Sequence, residues 1–109
     1  MKILVVIHKK TYSSGSWHWC YDVLYKPSFF DKLFGRKPFM DELEYECPEC
    51  PYVAELVASG WKYFISGDTA HIPEALEAMG LKDEHDLEGL VKWLKNRYHD
   101  AMIIKVGEH

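Results

Sequence analysis

The sequence predicts a single α/β (α+β) domain, a mixed sheet of about five strands with two to three helices packed on it. Three observations predict it. The run Ile3-Leu4-Val5-Val6-Ile7 is apolar at every position and rich in β-branched residues, as suits a central strand buried on both faces. Residues 17–25 and 42–47 alternate with the period of a strand. Leu87, Leu90, Val91 and Leu94 recur at helical spacing on one face.

The elements follow in order along residues 1–109. Residues 2–9 read as the first strand. Thr11 to Ser16 is turn chemistry, with Gly15 able to take a positive φ. In the next strand Trp17, Trp19, Tyr21, Val23 and Tyr25 point one way, and His18, Cys20, Asp22 and Leu24 the other. A helical period also fits part of this stretch, but its aromatic and β-branched content favours a strand. Pro27 ends it.

Ser28 to Gly35 reads as one or two helical turns, with Ser28 as N-cap and Gly35 at the C-terminal cap. Glu42 to Cys47 is the next strand, carrying one acidic edge or face. Pro51 opens a helix whose stripe is Val53, Leu56 and Val57, ending near Gly60. Trp61 to Ser66 is a strand, and Gly67 to His71 a loop. Pro73 starts a short helix with Ala75, Leu76 and Met79 inward, closed by Gly80. Asp83 or Glu84 opens the longest helix, reaching about Tyr98, and Ala101 to Val106 is the last strand. The expected order is β-β-(short α)-β-α-β-α-α-β, with no repeat and no linker that would divide it.

Composition narrows the function. Hydrophobic residues make up 48% and charged residues 28% of the chain, which suits a packed domain and not a disordered one. A formal net charge of -4 disfavours a nucleic-acid binder that works by neutralising phosphates. No apolar run approaches the roughly 20 residues of a spanning helix, and the opening run is too short for a signal peptide. With few cysteines, these features predict a cytoplasmic chain with no membrane partner. With an aromatic share of 15%, not all of the rings need be core, so an aromatic-lined pocket or contact surface is expected.

The cysteines are the most specific signal. Cys47-Pro48-Glu49-Cys50 sets two thiols three positions apart with a proline stiffening the turn. Such a knuckle can converge on one zinc ion at about 2.3 Å per sulfur. A structural zinc needs four ligands. Antiparallel pairing of residues 17–25 with 42–47 is expected to set Cys20 opposite Cys47, with His18 beside it. The resulting set is His18, Cys20, Cys47 and Cys50, with His71 as the reserve ligand. The bland alternative is that all three cysteines are small apolar residues without chemistry.

The knuckle also supports a dithiol. Strand 42–46, the two cysteines, helix 51–59 and strand 61–66 together resemble the opening of the glutaredoxin and thioredoxin folds. That resemblance implies Cys47 as a nucleophile activated at a helix N-terminus and Cys50 as the resolving thiol. It covers residues 42–66 alone. Ile72-Pro73 sits where those folds carry a cis-proline, but Glu-Ala-Leu-Glu-Ala after it reads as helix.

Histidine suggests a third chemistry. Asp68 and His71, with His85-Asp86 and His99-Asp100, carry the groups of a metal-dependent hydrolase. His85 and His99 lie about 21 Å apart along a helix, which prevents one cluster. Asp68, Thr69 and Asp83 read first as turn or helix-entry residues. The Thr11–Ser16 loop lacks the glycine spacing of a phosphate-binding loop.

The excursion over residues 26–39 is the expected contact element. Phe29, Phe30, Lys32, Phe34, Arg36 and Lys37 mix rings with positive charge, whereas Asp41 to Glu55 is acidic. That polarity suits a protein partner or small ligand more than nucleic acid, or association between copies of the chain. The function expected is a small non-enzymatic binding or regulatory module with a zinc knuckle. A thiol-disulfide oxidoreductase and a small metal-dependent hydrolase are the alternatives.

Overall fold

The computed structural model describes residues 2–28, 51–69 and 73–108. The expected turns at 28–35, past Ser28, and the strand at 42–47 lie outside the described residues. So do Cys47, Cys50 and His71, together with Phe29, Phe30, Lys32, Phe34, Arg36 and Lys37. Among the described residues the order is β-β-α-β-α-α-β, with one mixed sheet of four strands where about five were expected.

β1 (Lys2–Thr11) and β2 (Trp17–Lys26) form a hairpin whose register runs unbroken from Lys2↔Lys26 to Thr11↔Trp17. The turn that sets it is tight. The Tyr12 amide donates to the Ser16 carbonyl at 2.9 Å, and the Gly15 amide donates to the Tyr12 carbonyl at 3.0 Å. Gly15 has φ of 90°, the left-handed backbone that favours glycine.

β3 (Lys62–Asp68) pairs antiparallel with β2, and β4 (Met102–Glu108) pairs parallel with β1, giving the order β3-β2-β1-β4. β2 therefore has β1 on one side and β3 on the other. This corrects the expected pairing of residues 17–25 with 42–47. Cys20 stands opposite His8 on one side and Asp68 on the other, so the ladder does not set it across from Cys47. β3 also runs two residues further than expected, which turns Gly67 and Asp68 from loop into strand.

Helices cover both faces of the sheet. α2 (Pro73–Met79) and α3 (Leu87–Arg97) bring Leu76, Leu90 and Leu94 onto Val5, Ile7, Trp19 and Val23, with Leu81 and Tyr98 completing that core. On the other face α1 (Pro51–Ala58) adds Val53 to Leu4, Val6 and Leu24. The continuous apolar run of β1 is thus buried on both sides, as its sequence requires.

Two helix ends share one device. Gly60 and Gly80, with φ of 108° and 75°, follow α1 and α2. The Trp61 amide reaches back to the Leu56 carbonyl, and the Leu81 amide to that of Leu76. Leu56 and Trp61 both pack against one apolar cluster, and Leu76 and Leu81 both belong to the other. Val57 and Ala75, expected inward, are exposed. The short helices turn only Val53, Leu56, Leu76 and Met79 toward the sheet.

α3 starts later than the expected Asp83 or Glu84. Asp83 Oδ1 accepts the His85 amide at 2.8 Å, closing a turn, and Asp86 takes the N-cap. The stripe of Leu87, Leu90, Val91 and Leu94 faces the core as predicted.

Candidate functional site

Strand alternation and the hairpin register gather polar residues at one end of the face that α1 covers. β2 supplies His18, Cys20 and Asp22, β1 supplies His8, and β3 supplies Ser66 and Asp68. All but Asp68 are buried: His8 and Asp22 are 0% exposed, Cys20 2%, Ser66 5% and His18 8%.

Burying so many polar groups is costly unless they find partners. His8 Nε2 donates to Asp22 Oδ2 at 2.6 Å, and the Tyr63 hydroxyl donates to Asp22 Oδ1 at 3.5 Å. The shorter bond has a length typical of a charge-assisted contact. Because a carboxylate oxygen accepts, the His8 proton in that bond sits on Nε2. Both side chains are sealed from solvent.

His18 is different. Its Nε2 is buried and has no hydrogen-bond partner. Asp68 Oδ2 lies 3.7 Å away, beyond hydrogen-bond reach. The Tyr12 ring packs 5.4 Å from the imidazole, centroid to centroid. Cys20 stands two residues along the same strand face, about 6.6 Å by strand rise. A histidine and a cysteine so spaced can reach one ion.

The first two ligands of the expected zinc set therefore stand side by side, while Cys47 and Cys50 lie outside the described residues. Chain connectivity adds one constraint. α1 begins at Pro51, directly after Cys50, and its Val53 packs into the face that bears His18 and Cys20. Among the described residues, no three His, Cys, Asp or Glu side chains come together as a metal-binding group.

Of the residues in the hydrolase alternative, His71 lies outside the described residues, and His85 makes contacts of its own. His85 stacks on Trp17 at 4.1 Å, and its Nε2 donates to the Trp17 carbonyl at 2.9 Å. The Trp19 indole in turn donates to the His85 carbonyl at 3.0 Å. His85 thus ties the α3 entry to the sheet. Thr69 does the same: the Trp19 amide donates to its Oγ1 at 3.1 Å, and Oγ1 donates to the Glu84 carbonyl at 2.6 Å. These contacts make Thr69 and Asp83 turn residues, as their sequence suggested.

The His8–Asp22 pair was missed at the level of sequence, although the signal was there. Once the turn at Thr11–Ser16 sets the hairpin register, His8 must face Cys20 and lie diagonal to Asp22. With the fold and site in view, comparison adds no identity: no protein family, curated protein or solved structure matches this chain.

Proposed function

We propose that the chain is a small non-enzymatic binding module held by a zinc site, with His18 and Cys20 on β2 and Cys47 and Cys50 in the knuckle as ligands. The observation that carries this reading is the buried His18 Nε2 without a hydrogen-bond partner, beside the buried Cys20 thiol. An imidazole held in that way costs stability unless something completes its chemistry. Zinc bound by sulfur and imidazole does so.

The ion would fasten the segment ahead of α1 to the polar end of that face. That leaves the Phe- and Lys-rich residues 26–39, with Phe29, Phe30, Lys32, Phe34, Arg36 and Lys37, as the contact element for a protein or small ligand. The sealed His8–Asp22 pair supports a structural role for the polar end of this face, because no substrate can reach a group with 0% exposure.

Thiol reactivity tests the reading. In freshly purified protein all three sulfurs should react slowly with an aromatic disulfide reagent, then rapidly once a strong chelator is added. Immediate reaction of one cysteine at neutral pH, unaffected by chelator, would replace this reading with the Cys47–Cys50 dithiol.

A further inference from the structure

We infer that His18 Nε2 and Asp68 Oδ2 together hold one divalent transition-metal ion. The inference deepens the zinc reading above by adding Asp68 as a ligand, and its two donors need neither Cys47 nor Cys50.

Distance separates two ways of pairing a histidine with a carboxylate. On this sheet His8 Nε2 and Asp22 Oδ2 lie 2.6 Å apart, a direct hydrogen bond between fully buried side chains. His18 Nε2 and Asp68 Oδ2 lie 3.7 Å apart, too far for such a bond. Zinc takes imidazole nitrogen and carboxylate oxygen at about 2.0–2.2 Å. Two such ligands on one tetrahedral ion are therefore roughly 3.3–3.5 Å apart. The observed gap lies close to that separation and roughly 1 Å beyond a charge-assisted hydrogen bond.

Burial gives the nitrogen a need for this partner. His18 is 8% exposed, and its Nε2 is buried without a hydrogen-bond partner. Leaving that atom unsatisfied costs stability. An ion accepts its lone pair, with the ring proton on Nδ1. Both backbones are already fixed. His18 pairs with Lys10 in the β1–β2 ladder, and Asp68 pairs with Cys20 in the β2–β3 ladder. The Thr69 amide donates to the Trp19 carbonyl at 2.9 Å, which ties the two positions together.

The Asp68 side chain is 33% exposed, so the ion has a route in and water can fill its remaining positions. Among the described residues no third His, Cys, Asp or Glu completes a metal-binding group with these two. An imidazole with a carboxylate suits zinc, copper or nickel, whereas magnesium prefers oxygen ligands alone. Ligation through Oδ2 leaves Oδ1 for other contacts.

The test uses the full chain carrying Cys47→Ser and Cys50→Ser, and zinc competition against a chromophoric chelator. This double variant should still bind one zinc per chain, more weakly than wild type, and excess magnesium should not displace it. Adding His18→Ala or Asp68→Asn should abolish that binding, with circular dichroism showing that each protein is folded. In the chain with all three cysteines, Asp68→Asn should change the visible spectrum of bound cobalt(II), which reports the ligand set. Residual binding untouched by Asp68→Asn, a folded double variant that binds no zinc, or an unchanged cobalt spectrum would overturn the inference. Equal zinc affinity in wild type and the double variant would instead overturn the part of Cys47 and Cys50 in the zinc reading and support this site.

Discussion

His8 and Asp22 form a buried pair in which each side chain compensates the burial of the other. Both side chains are fully buried, and the 2.6 Å bond between them offsets a large desolvation cost. Removing one partner strands the other. His8→Leu or Asp22→Leu should each destabilise the protein by about 3–5 kcal/mol, whereas the double substitution should recover most of that loss. Urea unfolding of the four proteins at neutral pH measures it. Additive losses would mean that the two side chains act independently.

At the same scale, Cys20 shows what strand alternation reveals and conceals. The period-two pattern places it beside His18 and away from Trp19, and the structure agrees. Its cross-strand neighbours, His8 and Asp68, depend on which strands flank β2, and alternation carries no such information.

Among the elements, α3 depends most clearly on its first turn. Asp86 Oδ1 accepts the Gly89 amide at 3.0 Å, and Oδ2 accepts the Lys82 amide at 3.0 Å. These bonds, Gly89 first, hold the Asp86 carboxyl below its ordinary value. A carboxyl lowered in the folded state adds stability above its unfolded pKa of about 3.9. That contribution is lost as pH falls through the lowered folded value. Asp86→Ala should therefore cost about 1 kcal/mol at neutral pH. The gap from wild type should narrow as pH drops below about 4. Thermal melts from neutral to strongly acidic pH check this, and a gap independent of pH would assign the loss to something other than the cap.

The elements were legible where sequence pattern and local chemistry agree. The α3 stripe, the glycine stops after α1 and α2, and the hairpin turn all follow from spacing and from residues that can adopt the required backbone. Two boundaries were not legible, for physical reasons. Asp83 has the chemistry of a helix cap but uses it in the preceding turn, so α3 opens four residues later, at Leu87. Gly67 and Asp68 look like loop residues, yet pairing with Tyr21 and Cys20 holds them in β3. Long-range pairing overrode local propensity there, and it brings Asp68 close to His18.

For the molecule as a whole, the sheet separates two kinds of interior. One face is apolar and closed by α2 and α3. The other is apolar beneath α1 but polar at the end that carries His8, His18, Cys20, Asp22 and Asp68. Sequence reading reached His18 and Cys20 through the cysteine count and the strand period. It did not place Asp68 beside them, because that position depends on β3 pairing with β2.

The zinc reading joins that polar end to the knuckle ahead of α1, and native mass spectrometry of freshly purified, tag-free protein tests it most directly. Spectra should be recorded before and after a strong chelator, with thermal melts of the same samples. The account predicts one zinc per chain, lost on chelation together with a clear fall in melting temperature. A metal-free mass with a melting temperature indifferent to chelator would contradict it.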